Sequence, residues 1–150
     1  MRPFRFRAQA ALQLRRREHD QALALLARSQ AALIAAQHRV EQADSVIREA
    51  DEQLRTIGQT ATSRLQLEWY RSWRLRWRME RDERERQAER QAAHVRDARQ
   101  RVAYTHKQVR SLERLHDHAF SDWQQAADRE ERKLIDELAT TRYSRRKEAV

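Results

Sequence analysis

From residue 12 onward, apolar and small residues return every seven positions. One core position holds Leu12, His19, Leu26, Leu33, Val40, Ile47, Leu54 and Ala61; the other holds Arg15, Ala22, Ser29, Ala36, Ala43, Ala50 and Ile57. A strict period of seven keeps both sets on one helix face and winds the helix left-handedly around a partner. Large residues at one position with alanine at the other let two helices approach closely. The pattern predicts a helix over about 4–57 that stops near Gly58, since glycine is the commonest residue just past a helix end.

A second seam follows: Val95, Ala98, Val102, Thr105, Val109, Leu112, His116, Ala119, Trp123 and Ala126, shifting then to Ala127, Leu134 and Leu138. The step from Trp123 to Leu134 reads as a stutter that locally unwinds the supercoil. This predicts a helix over about 93–143. The two seams are of similar length, which predicts an antiparallel pair with Leu12 near Leu138 and Ile57 near Val95. Residues from about 58 to 92 are then an excursion at the tip. Within it, Ser63-Arg64-Leu65-Gln66 has the form of a capping box, so a helix starts there. Residues 80–92 have almost no apolar face and read as a solvated helix, with Glu80–Arg84 and Asp82–Arg86 pairs contributing about 0.3 kcal/mol each. A second register, with a tight turn at Gly58, pairs Leu54 with Leu65 and leaves Val109 to Leu138 unpaired. The fold class expected is all-α: one domain, a long antiparallel two-helix coiled coil with a helical excursion at its tip.

The excursion carries its own pattern. Leu65, Trp69, Trp73 and Trp77 drift by only about 40° per step on a helix, with Tyr70 at the border of the stripe. Arg71, Arg74 and Arg78 lie opposite, making a basic amphipathic helix. Three uses fit such a stripe. It can pack onto the coil as a cap. It can anchor a protein contact, where Trp and Arg are the favoured hot-spot residues. It can lie in a lipid headgroup layer.

Composition narrows the function. The chain has one glycine, one proline and no cysteine. Helices disfavour the first two, and loops and hairpins need them. There is no Gly-rich phosphate loop, no disulfide, no thiolate metal site and no Ser/His/Asp or Cys/His set with a pocket to occupy. His116-Asp117-His118 point about 100° apart on a helix and cannot converge on one ion. His19 and His116 read as polar register markers in the seams. No catalytic residue, metal or cofactor is expected. The aliphatic runs ALALLA and AALIAA are far short of the ~20 residues that span a bilayer. The basic start has no apolar core of the secretory type, so a cytoplasmic protein is expected. A net charge of +9 favours an acidic partner. The charges are mixed rather than blocked, so nucleic acid is not the expected one.

The two ends of the chain carry a resemblance. The start, PFRFRAQAALQLRRREHDQA, and the end, EERKLIDELATTRYSRRK, resemble the FliJ family of flagellar export proteins, which is related to the stalk proteins of virulence-type type III secretion. The resemblance implies a coiled-coil stalk like the central subunit of rotary ATPases. Such a stalk enters the hexameric export ATPase by the end that carries both termini and promotes its assembly and activity. The resemblance also implies contacts with the cytoplasmic domain of the FlhA-like export gate protein and with export chaperones. It places the protein in the cytoplasm, peripheral to the inner membrane. Carried over by position, Phe4, Arg5, Phe6, Leu12, Arg15 and Arg16 would face the ATPase. So would Glu131, Leu134, Asp136, Glu137, Leu138 and Arg142. Trp69, Tyr70, Trp73 and Trp77 would face the gate. Against this stands a different class, a basic amphipathic coil that binds an anionic membrane surface or nucleic acid.

Overall fold

A computed structural model of the chain describes residues 3–59 and 63–148, without the side chains of 143–148. Two helices carry nearly all of it: α1, Gln9–Gln59, and α2, Arg64–Glu148. The fold is all-α, and within each of the chain's two compact units the helices pack side by side in opposite directions. Helix α2 starts soon after α1 ends, as the second register expects. Val109 is nevertheless buried and Phe4 packs on Trp123, so of the stretch which that register leaves unpaired, Val109 to Leu138, only the part beyond Ala127 is bare. Residues 64–92, expected as an excursion at the tip, are the first part of α2, which then runs on without a break at residue 93. Ser63 does mark the helix start, its carbonyl accepting from the amides of Gln66 and Leu67. Gly58 lies within α1 and does not adopt positive φ, so it is not a left-handed cap. Ala61, expected at the end of the first seam, is outside the described residues.

Contacts divide the chain into two compact units, one formed by the residues up to His19 with those from Thr105 onward, the other by Asp20–Tyr104. In the Asp20–Tyr104 unit the alanines of the first seam are the core. Ala22, Ala36, Ala43 and Ala50 are buried, as are Val95 and Ala98 of α2. The larger seam residues Leu26, Leu33, Val40, Ile47 and Leu54 are half-buried, as expected where close helices cover only part of a long side chain. The α2 side between 67 and 91 is different. Its half-buried positions include Arg74, Trp77, Arg81, Arg84 and Ala88. Arg74 Nη1 meets Asp51 at 2.8 Å and Arg81 Nε meets Asp44 at 3.2 Å. Arg84 donates to the Arg39 carbonyl at 3.0 Å. Residues 80–92 are therefore packed on α1 and are not a free solvated helix. The Glu80–Arg84 pair forms at 2.9 Å, whereas Arg86 pairs with Glu83 instead of Asp82.

In the other unit, Leu12, Thr105 and Val109 are buried. Arg16 bonds Glu113 at 3.0 Å, and His19 Nδ1 lies 2.9 Å from the Thr105 hydroxyl. Leu12 thus faces the 105–116 stretch of α2 and not Leu138. Residues 3–8 precede the helix that was expected from about residue 4. In Phe4-Arg5-Phe6-Arg7 the aromatics are half-buried and the arginines exposed, the period-two alternation of an extended chain lying on a surface. Beyond Trp123 and Ala127, α2 continues with every described side chain from 128 to 142 exposed.

Candidate functional site

The tryptophans form a graded ladder on the first turns of α2. Trp69 stacks on Trp73 at 5.4 Å with planes 11° apart, and Trp73 meets Trp77 at 5.9 Å. Tyr70 stands edge-on to Trp69 at 4.8 Å. The ladder is anchored at its Trp77 end, in the seam, where the Arg84 guanidinium covers the ring at 5.3 Å. It opens outward at Trp69, which is 52% exposed. Leu65, Leu75 and Met79 are also exposed nearby on α2. The stripe is thus part cap and part open surface: the i, i+4 spacing that stacks the rings also carries them around the helix, from the seam to solvent. Tyr70 is half-buried at its border.

The residues expected to face an ATPase separate into two groups. In the first, Leu12 is core and Phe4 and Phe6 are held by α2. Phe4 packs against His116, Phe120 and Trp123 at 5.2–5.9 Å between ring centres, and Phe6 against His116 at 5.1 Å. Arg15 turns to Glu18 at 2.7 Å and Arg16 to Glu113; Arg5 is exposed. The second group, Glu131, Leu134, Asp136, Glu137, Leu138 and Arg142, lies on the unpaired end of α2. Leu134 and Leu138, expected in the seam, are 60% and 61% exposed, with Ile135 at 57%. Among the described residues nothing covers them, since the arm lies against Phe120 and Trp123. The structure does not bring Leu12 to Leu138.

The aromatic cluster of Phe4, Phe6, His116, Phe120 and Trp123 was missed from sequence. Its signal is present: His116, Phe120 and Trp123 lie at i, i+4 and i+7, and the arm alternates with a period of two. Electrostatics reinforce the register. Hydrogen bonding to Arg16 holds the Glu113 carboxyl below its ordinary range, with Arg110 helping. Asp44, then Glu85, pushes the Arg81 guanidinium above its usual value. Among the described residues no group of three or more His, Asp or Glu could hold a metal ion, and no helix is long and apolar enough to cross a membrane.

Comparison with known proteins adds one finding. The model of a family described as the flagellar FliJ protein matches residues 5–148. No curated protein and no solved structure matches the chain.

Proposed function

We infer the function from one premise: the chain belongs to the FliJ family of flagellar proteins. Members are structural components that associate with the flagellar export apparatus. We propose that this chain is the coiled-coil stalk of that apparatus. It enters the hexameric export ATPase by the end of α2 beyond Trp123, promotes assembly and activity of the ring, and meets the cytoplasmic domain of the export gate through the open end of the tryptophan ladder. Export chaperones are further partners. The protein works in the cytoplasm, at the inner face of the membrane.

The observation that carries this reading is the bare end of α2. Leu134, Ile135 and Leu138 make an apolar stripe beside the acidic Glu130, Glu131 and Glu137 and the basic Arg132 and Arg142, and among the described residues nothing covers it. An amphipathic helix with an uncovered apolar face is stable in proteins mainly through packing, and a ring pore supplies such packing. Arg5 and Arg142 are exposed and available for polar contacts there. The alternative, a coil held on anionic lipid or nucleic acid, needs a continuous basic face, and the charges beside this stripe are mixed. The test is a pull-down of the hexameric export ATPase with the full chain across a salt series. Retention at high salt supports an apolar contact. Loss of binding that falls steeply with salt, as phosphate contacts require, overturns it.

A further inference from the structure

Within the Asp20–Tyr104 unit, a groove of about 530 Å³ runs between the two helices, and none of the ladder tryptophans lines it. Leu33 and Val40 of α1 and Ala88 and Ala92 of α2 form its apolar floor. Ala88 and Ala92 are one turn apart on the same face, and their small side chains recess the floor. The α2 lining, Glu85 to Ala92, covers about 10 Å of helix axis at 1.5 Å per residue. That is two turns, the span over which a docked helix places anchors at i, i+3 or i+4, and i+7.

The rim has one sign of charge. Glu41, Glu85 and Glu89 line it, with Gln37, and among the described residues no basic side chain does. Glu85 is held by Arg81 at 2.6 Å. Glu41 meets only His38, at 3.6 Å, an ion pair only when the imidazole is protonated. Glu89 makes no ion pair among the described residues. Two carboxylates without an arginine or lysine ion pair, beside an apolar floor, stand out on a chain of net charge +9, although Arg86 acts on Glu89 at longer range.

We propose that this groove docks a cationic amphipathic helix of a partner protein, laid along α1 and α2 as a third strand of the coil. Its apolar edge covers Leu33, Val40, Ala88 and Ala92, and its Lys or Arg side chains reach Glu41 and Glu89. Complementary charge selects the partner and its direction. A second copy offering its bare α2 end presents mixed charge, Glu130, Glu131 and Glu137 with Arg132 and Arg142, and matches an acidic rim less well than a uniformly cationic helix does. Nucleic acid and anionic lipid are repelled by the rim. The site goes beyond the ATPase and gate contacts and does not depend on them.

The probe is a designed helix of about 20 residues, long enough to be helical, with a leucine edge and lysine flanks. It is measured by fluorescence anisotropy against the full chain. Two sibling peptides serve as controls, one with glutamate flanks and one with the lysine sequence scrambled so that the edge is lost. The lysine helix is expected to bind saturably and the siblings not to. Glu41→Lys with Glu89→Lys leaves the Glu85–Arg81 pair intact and should weaken binding about tenfold or more. Ala92→Leu fills the floor without changing charge and should weaken it too, with helicity followed by circular dichroism. Equal binding of the scrambled peptide overturns the proposal, as does undiminished binding to both folded variants. Sedimentation that shows a dimer dispersed by Ala92→Leu would give the groove to a second copy instead.

Discussion

Arg81 Nε lies 3.2 Å from Asp44 Oδ1 across the helix pair, from a position that the heptad assigns to the seam of α2. Seven residues away on each helix, Arg74 and Asp51 repeat the arrangement at 2.8 Å. The pairs are one heptad apart on both helices, so only one alignment makes both. A slide by one turn would leave two seam arginines facing apolar neighbours. Asp44→Ala with Asp51→Ala should therefore lower the melting temperature by a few degrees, with the deficit shrinking as salt rises. The exchange Asp44→Arg with Arg81→Asp should recover much of the loss of either change alone. A melting temperature untouched by the double alanine variant would show that the pairs do not hold the register.

The α1 seam tests the packing. Ala43 is fully buried, while Ala35 on the same helix is exposed. Ala43→Leu should overpack the close helix approach and cost about 1–3 kcal/mol. Ala35→Leu should stay within about 0.5 kcal/mol of the parent. Thermal melts of the two variants side by side check this; equal melting would mean the helices are not close at Ala43.

These two cases also show why one half of the hairpin was legible and the other was not. Along α1 the seam is written mostly in leucine, isoleucine, valine and alanine, with Arg15, His19 and Ser29 the exceptions, and every described position of it is buried or half-buried. In the first part of α2 the same geometric positions hold Arg74, Arg81 and Arg84. A hydropathy pattern assigns arginine to solvent, yet a long aliphatic stem can lie in a seam while its head reaches a carboxylate. The clue was the shared interval of seven in Asp44, Asp51 and Arg74, Arg81. Hydropathy alone leaves this stretch free, so it matches the two apolar seams to each other and displaces the register. Of the candidate site, the tryptophan spacing was legible. The bare end of α2 was not, because Leu134 and Leu138 carry on the seam pattern where α1 no longer runs beside it.

Glu113 gives a pH test. Its carboxyl is held below the ordinary 4.5, first by hydrogen bonding to Arg16 and also by Arg110. A carboxyl with a lowered folded-state pKa contributes stability above its unfolded value and loses it as pH falls through the folded value. Glu113→Gln should melt lower than the parent at neutral pH. The gap should close below the ordinary carboxylate range, as the parent carboxyl takes up its proton. A gap that is constant from neutral to acid would assign the effect to packing and not to charge.

The two ends of α2 should fail separately if the proposed division between ATPase and gate is right. Leu134 and Leu138 are exposed, so Leu134→Ser with Leu138→Ser should leave melting and helicity unchanged. The same pair should reduce stimulation of the export ATPase and spare gate-domain affinity. Trp69 is the open end of its ladder, and Trp69→Ala should also leave melting nearly unchanged while weakening gate binding by about 2 kcal/mol or more, as loss of an aromatic hot spot does. Trp77 supplies the internal control. It is half-buried in the seam beneath Arg84, so Trp77→Ala should lower the melting temperature whatever the partners do. ATPase rate, gate-domain affinity and thermal melts on all three variants separate the cases. Melting of Trp69→Ala as low as that of Trp77→Ala would make the whole stripe structural. Parallel loss of both activities in the leucine and Trp69 variants, with melting intact, would mean that the two ends serve one partner.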